Sequence, residues 1–208
     1  MSSVPPLTTT SYGILGLLAV RPYSTYELTQ EMGRSLGRLW PRTASKLYEE
    51  PKKLADHGLA RARSDRVGRR SRTVYAITPR GRKALASWLE EPGDGPVLEF
   101  EVLVKLLFAE HGSSDAALAS IARAREWAVD QNQGNVAAGE AFLRGDGRFG
   151  NRAAETLLVG AFLTDYYALV ARWADWASAQ VESWPEDPAL RRADAAEQRR
   201  VLRRARWT

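Results

Sequence analysis

A mainly α-helical chain carrying one small β-hairpin is what the sequence predicts, and three observations predict it. Apolar residues recur three or four apart through most of the chain, the spacing of helices that bury one face. Only two short runs, 59–64 and 73–77, have strand character. Between them, residues 65–72 carry Arg66, Arg69, Arg70 and Arg72 and read as a hairpin tip. The segment Pro92-Gly93-Asp94-Gly95-Pro96 is the clearest linker. It divides the chain into a loose arm (1–10), an N-terminal domain (11–92), a linker (93–98) and an all-helical domain (99–208).

Taken in order, the first helix starts at Ser11. Its residues Tyr12, Ile14, Leu15, Leu17 and Leu18 leave few polar gaps, so it reads as buried, ending near Arg21-Pro22. Ser24-Thr25-Tyr26-Glu27 is a capping box, in which serine accepts from the third backbone N–H and glutamate reaches back to the serine N–H. A second helix therefore starts there and runs through Leu28 and Met32 to about Leu36. The third follows Pro41 and places Ala44, Leu47, Pro51 and Leu54 on one face, with Gly58 as its stop. Proline inside a helix removes a hydrogen bond and clashes with the carbonyl four residues back, costing about 3 kcal/mol or more. The expectation is a kink or split at Pro51, with 52–57 as a bent continuation of 41–50. Thr78-Pro79 pairs an N-cap with a proline at the first helical position, opening a fourth helix through Ala84, Leu85, Trp88 and Leu89.

Beyond the linker only helices are expected. Residues 98–109 are apolar on most sides and should lie inside a bundle. A long segment, 115–143, has a thinner stripe of Leu118, Ile121, Ala122, Val129 and Val136. Residues 153–184 follow with Leu158, Phe162, Tyr166, Leu169, Trp173, Trp176 and Trp184 at helical spacing, and 189–206 is an arginine-rich last helix.

The chain is 44% hydrophobic and 26% charged, as in ordinary globular proteins, and lacks cysteine, which excludes a disulfide framework. No positive region opens the N-terminus and the apolar run 14–20 is too short to span a bilayer, so the expected location is cytoplasmic, with no membrane partner. Residues 1–92 hold 16 Lys and Arg against 8 Asp and Glu, whereas 93–208 hold 14 against 17. A basic N-terminal half on a slightly acidic one is the distribution of a nucleic-acid-binding module with a separate effector or dimer domain.

Helix, stop, strand, arginine-tipped loop, strand is the layout of a winged helix-turn-helix, and it points to double-stranded DNA. With its apolar face packed inward, the third helix leaves Arg42, Thr43, Ser45, Lys46, Glu49, Lys52 and Lys53 on or near its free face. Arg42 suits a guanine edge or a phosphate, Thr43 and Ser45 a phosphate or base near the helix N-terminus, and Lys46 and Lys53 phosphates. Clustered arginines in the wing repel each other unless an anion lies between them. Two other classes fit a winged helix: a protein-interaction module that does not bind DNA, and an RNA binder, for which an exposed aromatic platform is missing.

The stretches YGILGLLAVRPYSTYELTQEM, LYEEPKKLADHGLA and TVYAITPRGRKALASWLEEP resemble, in this order, the N-terminal domain of the PadR family of bacterial transcriptional regulators. The piece EFEVLVKLLFAEHG resembles the start of that family's C-terminal helical domain. The resemblance implies a transcription factor, usually a repressor, that dimerises through its C-terminal helices and is released by small, often aromatic effectors. Carried over by position, 43–48, including Tyr48, face DNA or frame the recognition helix, and 66–72 form the wing tip. Leu158, Phe162, Leu169 and Trp173 are then the expected dimer contacts, and Trp127, Trp173 and Trp176 the candidates for stacking an aromatic effector. The same tryptophans also suit the plain closing of a helical interface. The family usually has leucine where this chain has Pro51.

No nucleophile–histidine–acid spacing, glycine-rich phosphate loop or metal cluster is seen, so an enzyme is not expected and no cofactor or metal is called for. His57 and His111 each precede a glycine at a helix end, where histidine suits the helix dipole. Asp165 sits among apolar residues as a lone carboxylate, and Arg199, Arg200, Arg203, Arg204 and Arg206 crowd the last helix beside Val201, Leu202 and Trp207.

Overall fold

In the computed structural model the chain divides into two compact units, Met1–Pro96 and Val97–Thr208. The structure describes residues 7–40, 44–67, 70–146 and 152–206. Arg42, Thr43, Arg69 and Trp207 lie outside the described residues, and for Ser45 and Arg70 only the backbone is described.

The first unit opens with α1 (Thr9–Val20), capped by Thr8, whose hydroxyl accepts from the Ser11 N–H while Ser11 reaches back. A two-residue strand β1 (Tyr23–Ser24) leads into α2 (Thr25–Arg34), and the Ser24–Glu27 capping box is formed as the sequence predicts. Next come α3 (Ala44–Asp56), β2 (Ala60–Val67), β3 (Arg70–Ile77) and α4 (Pro79–Leu89). The sheet is antiparallel in the order β1-β3-β2. Strand β1 is too short to leave a periodic signal, so sequence reasoning missed it. The core consists of Ile14, Leu15, Leu18, Leu28, Met32 and Leu54, each at most 2% exposed.

Two expectations are refined here. Of the kink or split expected at Pro51, the split does not occur: α3 runs as one helix through Pro51, whose ring is fully buried. Pro51 is buried on the same face as Leu47 and Leu54, and burial of its apolar ring works against the cost of the lost backbone bond. The strands also extend further than 59–64 and 73–77, pairing Asp65 with Arg72, Arg66 with Ser71 and Val67 with Arg70. Most of the expected tip is therefore ladder, because polar and charged side chains are tolerated on a hairpin that projects into solvent.

Helix α3 ends as expected at Gly58, which has φ 69°. The Leu59 N–H bonds to the Leu54 carbonyl at 2.8 Å and the Gly58 N–H to Ala55 at 2.9 Å, with Leu54 and Leu59 both buried. This is the left-handed closure with its accompanying apolar contact. Thr78 caps α4, its hydroxyl accepting from the Gly81 N–H at 3.1 Å and donating to the Gly58 carbonyl at 2.8 Å, so one residue ties the α3 stop to the α4 start.

The second unit is a long antiparallel helical pair, α6 (Ser114–Leu143) and α7 (Ala153–Glu182), preceded by α5 (Glu101–Leu107) and followed by α8 (Ala195–Ala205). Helix α6 presents Ala117, Ile121, Ala124 and Ala128, and α7 presents Leu163, Tyr167, Val170, Ala174, Ala177 and Val181. These alternate four and three apart, the seam of a coiled-coil-like pair in which alanines let the helices approach closely.

Three expectations are corrected in this unit. Helix α5 is short, and Leu103, Val104, Leu107 and Phe108 are exposed rather than inside a bundle, because one chain supplies no helix to cover them. The last helix starts at Ala195 rather than 189, since Pro188–Leu190 forms a separate 3-10 turn and Asp194 caps α8 through the Ala196 and Glu197 N–H groups. The buried stripe of α7 is also not the one that the largest residues suggest: Leu158, Phe162 and Leu169 are 74%, 59% and 49% exposed. By length and composition α7 is apolar enough to cross a bilayer. It nevertheless carries Asp165, Arg172 and Asp175, and Asp175 Oδ1 accepts from Arg125 Nε at 2.6 Å.

Candidate nucleic-acid interface

Leu47, Pro51 and Leu54 bury one face of α3, and the opposite face presents Lys46, Tyr48, Glu49, Lys52 and Lys53, all exposed. Tyr48 is 48% exposed, a large amphipathic side chain on an otherwise charged surface. Lys53 Nζ stands 3.8 Å from Glu50 Oε2, so it is partly engaged within its own helix. Glu50 also turns toward α1, where its Oε1 accepts from the fully buried Ser11 hydroxyl. That contact removes a carboxylate from the exposed face and joins α3 to α1.

The β2–β3 hairpin projects next in sequence. Successive strand residues point to opposite faces, so the register separates the arginines that the sequence groups into one tip. Arg66 lies opposite Ser71 on the face that further down carries Tyr75, while Arg72 lies opposite Asp65 on the other face. Arg72 is also not a loose cation. Its Nε and Nη2 each approach Asp65 Oδ2 at 3.0 Å, and its Nη1 stands 3.8 Å from Glu27 Oε2. Hydrogen bonds from the Ser24 hydroxyl and N–H hold the Glu27 carboxyl below its ordinary range, with Arg72 and Arg21 adding to the effect against some burial. Arg61 and Arg63 of β2 are exposed and share a face with Asp65. Sequence reasoning passed over them, though their alternation in Ala60-Arg61-Ala62-Arg63 is the signal that finds them. A cationic helix face and a cationic hairpin within one small domain are suited to a polyanion.

In the second unit, Trp127 is 39% exposed and meets Tyr166 and Tyr167 edge-on at 6.0 and 5.7 Å, with Phe162 stacked on Tyr166 at 6.3 Å. Trp173 packs edge-on against Phe100 at 5.5 Å and is partly buried in its own chain. Trp176 Nε1 donates to Glu197 Oε2 at 3.0 Å, fastening α8 to α7. The three tryptophans considered for an effector thus belong to different contacts. Of the four considered for dimerisation, Leu158, Phe162 and Leu169 form an exposed face and Trp173 does not. Asp165 is exposed, and among the described residues no cluster of acidic or histidine side chains is placed to hold a metal.

Residues 14–87 match the family model described as the transcriptional regulator PadR-like family. The negative transcriptional regulator PadR of Bacillus subtilis is 35% identical over 79 residues, 38% of this chain and 43% of that protein. The aligned part thus spans less than half of that curated relative. Among solved structures, Bacillus subtilis PadR in complex with operator DNA matches with a TM-score of 0.70 at 23% identity, over 84% of this chain and 99% of that one. The same regulator in complex with p-coumaric acid matches with a TM-score of 0.65 at 22% identity, over 85% of this chain and 100% of that one. At such identities the structures establish the fold, which extends through both units. The match to the transcriptional regulator PadR-like family thus lies within the first unit, over residues 14–87.

Proposed function

We propose that this protein is a sequence-specific, double-stranded-DNA-binding transcriptional regulator, a homodimer acting in the cytoplasm as a repressor that a small aromatic effector releases. The observation that carries the reading is the exposed face of α3, with Lys46, Tyr48 and Lys52 opposite the buried Leu47, Pro51 and Leu54, followed by an arginine-bearing hairpin. Helix α3 is the groove-reading element; the contact set is Ser45, Lys46, Tyr48 and Lys53 of this helix together with Arg42 and Thr43, which precede it in sequence. Arg66, Arg69 and Arg70 are assigned to backbone phosphates. Support comes from the Bacillus subtilis relative, a negative regulator whose structure with operator DNA has this fold. The protein-only use of a winged helix has no comparable support.

A second copy is proposed to cover Leu158, Phe162 and Leu169, giving two recognition helices for a near-palindromic operator whose half-sites lie about 34 Å apart or a multiple of it. The effector is proposed to enter beside Trp127, Tyr166 and Phe162, a class suggested by the p-coumaric acid complex of the relative. The test is a footprint on the DNA upstream of the protein's own gene, with and without phenolic acids. Lys46→Glu combined with Arg66→Glu, which removes two cations from each of two protomers, should lower operator affinity at least a hundredfold and reduce the slope of log affinity against log salt by about 3.6. Undiminished binding by that variant would overturn the assignment of the interface.

A further inference from the structure

The outer part of the β2–β3 hairpin and the start of α2 share one carboxylate. Glu27 Oε2 accepts from the Ser24 N–H and hydroxyl, each at 2.7 Å, and so closes the capping box. The same oxygen faces Arg72 Nη1 at 3.8 Å, while Oε1 faces Arg21 Nη1 at 3.9 Å. From the hairpin side, Asp65 grips Arg72 at 3.0 Å across the ladder. Backbone pairing stitches the same junction, since Tyr23 and Ser24 of β1 lie opposite Tyr75 and Val74 of β3. Cap, ion pairs and ladder therefore converge where the start of α2 meets the wing.

We infer that Arg72 is a positioning residue that clamps the wing to the N-terminus of α2, and not one of the phosphate contacts. A guanidinium held between two carboxylates has its charge largely answered within the protein, so it contributes little to counterion release on DNA. Its work is to hold the hairpin at one angle to α2, which packs on α3. A wing already oriented loses less freedom when the complex forms. The inference rests on the DNA-binding reading proposed above, and it names a residue that this reading would otherwise count among the contacts.

Glu27→Gln separates the two roles. Glutamine at this helical position still completes a capping box, so α2 keeps its start while the ion pair is lost. If charge alone mattered, removing a carboxylate near a polyanion would tighten binding. The clamp gives the opposite sign: operator affinity falls three- to tenfold with the salt slope unchanged. Arg72→Gln falls by a similar factor, again with its slope unchanged, and the double variant loses no more than either single one. Without DNA, amide hydrogen exchange in Ala60–Val67 and Arg70–Ile77 should quicken severalfold in Glu27→Gln while α4 is unaffected. The inference is overturned if Glu27→Gln leaves wing exchange unchanged, if it binds operator as tightly as the wild type or more so, or if Arg72→Gln, lost from both protomers, lowers the salt slope by about 1.8. The exchange measurement needs no operator. If the wild-type protein binds no duplex the DNA-binding reading fails, and wing exchange still decides whether the clamp exists.

Discussion

Gly81 has no room for a β carbon. A Cβ there would lie 2.1 Å from the Leu59 carbonyl oxygen and 2.9 Å from Ile77 Cγ1, so the need is for close approach of backbone and not for unusual dihedrals. Gly81→Ala should cost about 2–3 kcal/mol by overpacking, read as a lowered midpoint of urea unfolding, with operator binding lost in proportion to the unfolded fraction. Glu27 makes a second prediction at this scale. Its folded pKa is depressed, so the carboxylate stabilises the fold above the ordinary glutamate value of 4.5, and that contribution is lost as pH falls through the lower folded value. Unfolding midpoints of the wild type should therefore decline with acid in this window. Those of Glu27→Gln should decline less steeply, and identical curves would show that Glu27 carries no such linkage.

Local signals in the chain account for the element boundaries. Ser24 with Glu27, Thr78 with Pro79, and Gly58 each act within four residues, and each appears in the structure where its chemistry places it. What the sequence left illegible is the outcome of contacts between distant segments. The Asp65–Arg72 pair depends on strand register, and β1 exists only because β3 supplies a partner. Pro51 looks like a helix breaker in sequence, yet its ring is buried on the same face as Leu47 and Leu54 and α3 stays in one piece. Helix α8 is likewise tied to a distant segment by the bond from Trp176 to Glu197 at 3.0 Å. Trp176→Phe keeps an aromatic ring but removes the donor, at about 1 kcal/mol. Trypsin should then cleave at the exposed arginines of α8 several times faster, and an unchanged digestion rate would show that this bond does not secure the helix.

At the scale of the whole molecule, α7 carries two apolar stripes. One packs on α6, and the other, through Leu158, Phe162 and Leu169, faces solvent in a single chain, as do Leu103, Val104, Leu107 and Phe108 around α5. So much exposed apolar surface is unusual for a monomer. Light scattering should give twice the chain mass of 23.1 kDa for the wild type and the single mass for Leu158→Glu with Phe162→Glu. That variant should also lose operator affinity steeply, because a monomer engages one half-site, whereas a dimeric mass in the variant would remove these residues from the interface.

By itself the sequence determined the helical class, the single hairpin, the caps and stops, and the basic character of the N-terminal half, because each is set by neighbouring residues or by simple charge. Tertiary structure alone decided which stripe of α7 is buried. Leu158–Phe162–Leu169 and Leu163–Tyr167–Val170 have nearly the same periodicity, and only the alanines of α6, close enough to admit one of them, make the choice. It also decided that Arg72, indistinguishable in sequence from its neighbouring arginines, is held between Asp65 and Glu27, since strand register and the approach of α2 are properties of the fold and not of the local chain.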